Sequence, residues 1–225
     1  MTAIIRKPAL SIAGLLVAGG MAAGGVDLGP GDAALTAPAG VPLALAAAES
    51  DPSDDTAAGQ LLDIGYQAQP NYYYCGPAAT RIALTALGYE LSQDEVAEKL
   101  GTTEAGTDSA EDTTRVLREI SGDAEYRTTV IEGSKADQAQ IDQLRADVRA
   151  AVDDGRAVVT NVIGTANDVD GRTHSYPGGH YVTVVGYGEG GEAVKIADPA
   201  FLGAEHYWVT TETLAHWIAS RGYSH

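Results

Sequence analysis

Cys75 is the single cysteine of this chain, and it lies in the segment NYYYCGPAAT, directly before a Gly-Pro pair and an apolar run. A thiol is a useful nucleophile only as the thiolate, which the dipole and free N–H groups of a helix N-terminus stabilise. Apolar residues recur with helical spacing from residue 78 to a stop at Gly88, so we predict a helix that begins at Cys75. This position favours a reactive thiol over a buried structural one.

A thiol nucleophile needs a base, and histidine is the side chain whose ordinary pKa suits that task near neutral pH. His180 lies in GGHYVTVVGYGEGGEAVKIADPA, which we predict to be a β-hairpin with its turn at GEGG. In the register that we infer, Val184 faces Val194 and His180 faces Asp198 on the same side. A carboxylate beside an imidazole fixes its tautomer and stabilises its cation, so we predict His180 as the base and Asp198 as its orienting partner.

An acyl-transfer site also needs hydrogen-bond donors for the developing oxyanion. Gln69 precedes Cys75 by six residues and is within reach to share this oxyanion hole with the Cys75 backbone N–H. Three tyrosines directly precede the cysteine, and we assign Tyr73 and Tyr74, together with Gly179 beside the predicted base, to the substrate cleft. The alternative for the tyrosines is that at least one packs into the core.

The order of these motifs resembles that of the papain-like cysteine peptidases of family 39. The resemblance extends over roughly residues 60–210, through Gln69, CGPA, GGHYVTVVGY and KIADPA. This family includes the leader-peptidase domain of double-glycine bacteriocin exporters and free-standing exported relatives. The resemblance implies a nucleophile at Cys75, a base at His180, an orienting carboxylate at Asp198 and an oxyanion donor at Gln69. No transporter helices or ATP-binding motif accompany these residues, so the exporter function is not carried over.

The elements that must position these residues are mostly helices in the first half and mostly strands in the second. After the cysteine-bearing helix, we predict helices in SQDEVAEKLG, DSAEDTTRVLREISG and KADQAQIDQLRADVRAAVDDG. We predict strands in YRTTVI, RAVVTNVIG and HYWV, and a terminal helix after the last of them. The fold class that follows is α+β and papain-like, with the nucleophile on the helical part and the histidine and aspartate on an antiparallel sheet.

The polar segment TANDVDGRTHSYPGG, residues 165–179, separates two predicted strands and is expected to form a loop that acts as a lid or cleft wall. His174 in this loop is a weaker candidate for substrate contact. A zinc site from His174 and His180 lacks cysteine or carboxylate partners at ligand spacing, so we predict no metal. No cofactor motif occurs in the sequence, and we expect none to be required.

Residues 1–48 have the layout of a secretory signal peptide, because Arg6 and Lys7 precede a short apolar stretch of small residues. Residues 49–60 are acidic and contain proline, and we predict a disordered linker there. Residues 61–225 then form the peptidase domain. We therefore expect a secreted, extracellular protein with no membrane contact after signal cleavage.

The formal net charge is −17, with 31 acidic residues against 14 lysines and arginines. Such a chain repels phosphate backbones, which excludes nucleic acid as a favoured partner. We expect a peptide or protein substrate and a monomeric protein. Three alternatives stay open: a transglutaminase-like acyl transferase with the same three residues, a binding module that holds a peptide or cell-wall fragment uncut, and a dimer linked through the single cysteine.

Overall fold

The computed structural model describes residues 59–200 and 205–225 of the chain. The predicted signal peptide and residues 49–58 of the predicted linker lie outside the described residues. Gln60, which we expected to end the linker, is instead the first residue of strand β1, Gln60–Leu61. Strand β1 thus begins one residue before the predicted domain boundary at residue 61.

The helices of the described residues carry the start and stop signals that the sequence predicts. They are α1 (Cys75–Ala86), α2 (Gln93–Leu100), α3 (Ala110–Ser121), α4 (Gln138–Asp153) and α5 (Thr211–Trp217). Ser92 and Glu95 form a capping box at the start of α2, and Gly101 ends that helix in the left-handed conformation with φ 71°. None of the helices in the described ranges is long and apolar enough to cross a membrane.

The strands form one antiparallel sheet, and the α+β prediction is confirmed. Besides β1, the described strands are β2 (Thr128–Val130), β3 (Val158–Asn167), β4 (Thr173–Gly188), β5 (Ala193–Ala197), β6 (His206–Thr210) and β7 (Gly222–Ser224). The sheet order is β2-β7-β3-β4-β5-β6, with β1 paired to β4. The sequence analysis missed β1 and β7, because strands of two or three residues have no alternating pattern to detect.

Helices cover both faces of this sheet. The buried residues of α1, α2 and α3 pack with Val159 and Tyr181 in one hydrophobic cluster. Those of α4 and α5 pack with Val158 and Val182 in another. Because neighbouring strand residues point to opposite faces, the alternation between these two clusters along β3 and β4 shows that the sheet is buried on both sides.

The register of the β4–β5 hairpin differs from the predicted one by two residues. Val184 faces Ile196, whereas the sequence analysis paired Val184 with Val194. A β-bulge between Val184 and Gly186 changes the register again toward the turn, so that Tyr187 faces Val194. The prediction was wrong because it centred the turn on GEGG, whereas Gly188 faces Ala193 and the turn consists of residues 189–192.

The predicted loop at residues 165–179 is mostly strand, so the expectation of a loop there was wrong, although Gly178 and Gly179 at its end line the cavity described below. Strands β3 and β4 continue through it until Asn167 pairs with Thr173, and only a tight turn remains. Asp168 closes this turn, since its side chain accepts hydrogen bonds from two backbone N–H groups within it. His174 is buried, lies 3.0 Å from a carboxylate oxygen of Asp168 through its Nε2, and does not line the cavity described below.

Candidate active site

Cys75 is the first residue of α1 and is 9% exposed. The helix has no side-chain cap at Tyr74, and the backbone N–H groups of Gly76 and Tyr181 donate hydrogen bonds to the Cys75 sulfur. A Cβ atom at residue 76 would overlap the side chain of Thr107. The glycine therefore lets α1 approach the Thr107 loop closely, and its own N–H, which is free at the helix start, is directed at the thiol.

His180 lies on β4 beside an irregularity in the sheet. Val162 of β3 pairs with His180, but Gly164 pairs with Tyr176, so β4 has two more residues than β3 in this stretch. The extra residues form a bulge that contains Gly179, which has a φ of 93°. As a result the ring of Tyr176 stacks on that of His180, with 4.0 Å between the centroids.

Asp198 follows β5 and is 2% exposed, and each of its carboxylate oxygens accepts two hydrogen bonds. His180 Nε2 lies 2.7 Å from Oδ1, which also accepts from the backbone N–H of Ala200. The hydroxyls of Tyr176 and Tyr207 donate to Oδ2 at 2.7 and 2.8 Å. A buried carboxylate must be paired to stay charged, and these four donors hold this one in a single orientation.

Cys75, His180 and Asp198 form a continuous chain of side-chain hydrogen bonds. Because Nε2 of His180 is bonded to Asp198, its Nδ1 is the nitrogen left for the thiol. The structure thus brings together the three residues that the sequence singled out. It does so through the diagonal arrangement of His180 and Asp198, not through the facing pair that we predicted.

The charged forms of Cys75, His180 and Asp198 stabilise one another through their hydrogen bonds. Burial lowers the pKa of His180, but its hydrogen bonds to Asp198 and Cys75 outweigh burial and raise that pKa to about 9. Burial raises the pKa of the Cys75 thiol, whereas the hydrogen bond and charge of His180 bring it below its ordinary value. Burial also raises the pKa of Asp198, and the bonds from His180, Ala200 and Tyr176 bring it below the usual value. All three pKa shifts act in the direction of the charged forms, which are the Cys75 thiolate, the His180 imidazolium and the Asp198 carboxylate.

A cavity of about 370 Å³ opens beside this chain of residues. Its walls include both Cys75 and His180, so a bound molecule has access to the thiol and the imidazole together. Tyr73 and Gly179, two of the predicted cleft residues, line it as well. Tyr74 does not, because its hydroxyl donates a hydrogen bond of 2.8 Å to Asp94 on α2.

Gln69 is held near Asp198 but is not among the residues that line the cavity. Its backbone N–H donates to the carbonyl of Pro199, the residue after Asp198, at 2.9 Å. Its side-chain Nε2 donates to the Asn71 carbonyl at 2.7 Å, and its Oε1 is buried without a hydrogen-bond partner. One of the two N–H bonds of Nε2 is therefore already used within the loop that leads to α1.

Several residues at this site were missed by the sequence analysis. They are Tyr176 and Tyr207 around Asp198, and Asn161, Thr107 and Arg221 among the cavity walls. Tyr176 lies four residues before His180, and the unusual PGG between them was the one local signal of a bulge. The other residues come from distant parts of the chain, and no spacing in the sequence connects them.

Residues 61–225 match the sequence profile of the Peptidase_C39 like family. The chain belongs to this family. The resemblance to family 39 that the sequence motifs indicated is thereby confirmed, and the family is one of cysteine peptidases. No curated protein matches the chain.

Several solved structures resemble this chain. A C39-like peptidase from Bacillus anthracis superposes with a TM-score of 0.51 at 14% identity, covering 74% of this chain and 96% of that one, which shows a shared fold. The peptidase domain of ComA, a bifunctional ABC transporter of Streptococcus involved in quorum sensing, has a TM-score of 0.46 at 19% identity, covering 73% and 95%. A double-glycine-motif protease from an AMS/PCAT transporter, solved with its leader peptide, has a TM-score of 0.46 at 13% identity, covering 73% and 91%.

Within residues 59–200 and 205–225, no group of three or more histidine, cysteine, aspartate or glutamate side chains is arranged to hold a metal ion. The two buried histidines that a zinc site would use, His174 and His180, are each bonded to a separate aspartate.

Proposed function

We propose that this protein is an active thiol hydrolase that cleaves a peptide or other amide bond through an acyl-enzyme. Cys75 is the nucleophile, His180 the general acid and base, and Asp198 the residue that orients His180. The observation that carries the proposal is the buried hydrogen-bond chain from Cys75 through His180 to Asp198, with Cys75 and His180 both at the wall of one cavity. Nucleophile, base and orienting carboxylate are the parts that covalent acyl transfer needs.

The reaction begins with attack of the Cys75 thiolate on the amide carbonyl carbon, which forms a C–S bond and an oxyanion. As the C–N bond breaks, the His180 imidazolium gives its proton to the leaving amine, and a thioester remains on Cys75. Neutral His180 then takes a proton from water, which attacks the thioester carbonyl. The acid product leaves, and the thiolate and imidazolium are restored.

We further propose that Gln69 donates to the oxyanion with the backbone N–H of Cys75. Support comes from the family resemblance and from the hydrogen bond that ties the Gln69 backbone to Pro199, beside Asp198. The side-chain amide would turn from the Asn71 carbonyl toward the cavity when substrate binds. Removing one such donor reduces kcat by about 10²–10³. A Gln69→Ala variant with unchanged kcat on any substrate of the protein would exclude this role.

The proposal is tested by alkylation of the full-length protein with iodoacetamide, since Cys75 is the single thiol of the chain. We expect Cys75 in the folded protein to react at pH 7 at least about 10-fold faster than a free cysteine derivative, because its thiolate is stabilised. His180→Ala should remove this acceleration, and Cys75→Ala should abolish cleavage in a peptide library. Cleavage that persists in Cys75→Ala would overturn the proposal, as would a Cys75 that reacts only in urea.

The peptide-library experiment also separates hydrolysis from acyl transfer. With a primary amine added to the peptide library, a hydrolase yields mainly free acids, whereas a transferase yields amine conjugates that mass spectrometry detects. A retained fold without chemistry would instead bind peptides and show no thiolate-enhanced labelling. The lowered pKa of Cys75 beside His180 favours the active enzyme over this binding module.

We also propose that the protein is exported. The support is the order of two basic residues, an apolar stretch and small residues in residues 1–48. Expression of the full chain in a bacterial host, followed by N-terminal sequencing of protein recovered from outside the cytoplasm, tests it. We expect the mature chain to begin after Ala48, and an intact N-terminus retained in the cytoplasm would contradict the proposal.

A further inference from the structure

The lining of the cavity beside Cys75 contains charged residues of both signs. Glu104 and Asp108, in the loop between α2 and α3, contribute exposed carboxylates. Arg221, which precedes β7, contributes a guanidinium close to Gly179 of β4. A peptide that enters this cavity to reach the thiol therefore meets groups that repel a carboxylate and one group that attracts it.

Arg221 is fixed in place by its backbone. Its N–H donates to the carbonyl of Ile218 at 2.9 Å, and its carbonyl accepts from the N–H of Ile131 at 3.1 Å. Gly222, the next residue, has no room for a side chain without crowding Ala110 and Thr129. The guanidinium thus extends into the cavity from a rigid strand start, and a rigid mount is what a recognition residue needs.

The guanidinium lies close to the reacting groups. A Cβ atom built on Gly179, the residue directly before His180, would lie 3.7 Å from Nη2 of Arg221. The same point is 3.8 Å from Oδ1 of Asn161 and 3.7 Å from the carbonyl oxygen of Val162, which are acceptors and offer a carboxylate nothing. Arg221 is therefore the group at this wall that attracts an anion.

Arg221 has no carboxylate partner within the part of the chain that the structure describes. The contrast with other partly or fully buried arginines is clear, since Arg145 contacts Asp142 and Glu192 while Arg156 contacts Asp123 and Asp154. The chain has 31 acidic residues, yet none of those described forms an ion pair with this arginine. Its guanidinium is therefore available for a ligand. A guanidinium binds a carboxylate through two parallel N–H donors.

We propose that Arg221 is the carboxylate-binding subsite of the substrate cleft, so that the protein selects peptides with a carboxylate close to the scissile bond. This inference rests on the proposed function and names its substrate class. The carboxylate is either an Asp or Glu side chain or a free C-terminus, because both present the same group to a guanidinium.

The test measures binding and cleavage separately. Fluorescein-labelled hexapeptide pools carry Glu or Gln at one fixed position, both with amidated C-termini, and a third pool carries Gln with a free C-terminus. Binding is measured by fluorescence polarisation to the full chain with Cys75→Ala, which cannot turn over. We expect this protein to bind the Glu pool or the free-carboxylate pool about 10-fold more tightly than the amidated Gln pool, and the pool that gains identifies the source.

Two variants in the Cys75→Ala background complete the test. Arg221→Gln should reduce the preference to about 1, and Arg221→Lys, which keeps the charge without the planar fork, should retain part of it. Arg172→Gln is the matched control, because Arg172 is exposed in the turn between β3 and β4 and does not line the cavity. It removes the same charge and should leave the preference intact. Near-UV circular dichroism verifies that each variant is folded.

The outcomes distinguish this inference from the proposed function. Equal binding of all three pools, or a preference that survives Arg221→Gln, overturns the carboxylate subsite. A preference that Arg221→Gln removes, with no cleavage of any pool by the chain that retains Cys75, supports the subsite and overturns the peptidase. If the protein that retains Cys75 cleaves the pools with no preference for those that carry a carboxylate, the proposed peptidase activity is supported and the carboxylate subsite is overturned.

Discussion

His180 and Asp198 are joined by a hydrogen bond of 2.7 Å although they are not opposite each other in the β4–β5 ladder. Since Val184 faces Ile196, the direction of the ladder places Asp198 opposite Val182, two residues from His180. The two residues are therefore diagonal neighbours on one face of the sheet, within reach of long side chains. A register difference of two residues preserves the face, whereas a difference of one would have separated them.

This geometry predicts a large effect of Asp198→Asn. The amide has the size of the carboxylate but lacks the charge that raises the pKa of His180, and it cannot accept four hydrogen bonds. We expect kcat/KM to fall by about 10²–10⁴, as for orienting carboxylates in general. Asp153→Asn is the matched control, because Asp153 accepts a hydrogen bond from Tyr187 outside the cavity, and it should change kcat/KM by less than about twofold. Equal effects of the two substitutions would contradict the role of Asp198.

The pKa shifts predict a bell-shaped dependence of kcat/KM on pH. The raised pKa of His180 means that its proton is present below about pH 9 and is lost above it, so activity falls on the alkaline side there. The lowered pKa of Cys75 means that the thiolate is protonated only at pH values below the ordinary thiol range, which sets the acid limb. Kinetics from pH 4 to 11 test this prediction. Activity that rises steadily through pH 9 would show that the imidazolium is not required.

The two tyrosine hydroxyls on Asp198 predict a positioning effect. Tyr207→Phe removes one donor from Oδ2 and keeps the ring that stacks on His174 at 3.8 Å. We expect kcat to fall about 10-fold with little change in KM, because a hydrogen bond to a charged group is lost while the cavity walls stay unchanged. Tyr187→Phe loses a tyrosine–carboxylate bond outside the site and serves as the control. A fall in kcat of the same size in Tyr187→Phe would show that the effect comes from a general loss of stability and not from the positioning of Asp198.

The close approach of α1 to the Thr107 loop predicts that Gly76→Ala is destabilising. The added methyl group overlaps Thr107, and the backbone of α1 must move, which costs about 1–3 kcal/mol of the free energy of unfolding. Gly178→Ala is the control for stability, because a Cβ atom there meets no atom within 4 Å. Urea unfolding of the two variants measures the difference. Equal free energies of unfolding would show that the Thr107 loop moves to accommodate the added methyl group without loss of stability.

Local features of the chain were predictable from the sequence, because their causes are local. The capping box at Ser92 and Glu95, the start of α1 at Cys75 and the face of α4 formed by Ile141, Leu144 and Val148 each depend on neighbours within one or two helical turns. The three residues of the hydrogen-bond chain were predictable for a related reason. A lone thiol at a helix start, and a histidine and an aspartate on the two strands of one hairpin, are short-range patterns.

The surroundings of these three residues depended on tertiary structure. The bulge before His180 arises from the pairing of β3 with β4, and it stacks Tyr176 on the imidazole ring. Tyr207 reaches Asp198 because β6 lies beside β5 in the sheet. Arg221 is close to the C-terminus in sequence and is held beside the cavity by the hydrogen bond that its carbonyl accepts from Ile131, which precedes α4. The sequence therefore decided which groups form the hydrogen-bond chain, while long-range pairing decided how they are held and what they face. Such contacts depend on the closure of loops that no local pattern encodes.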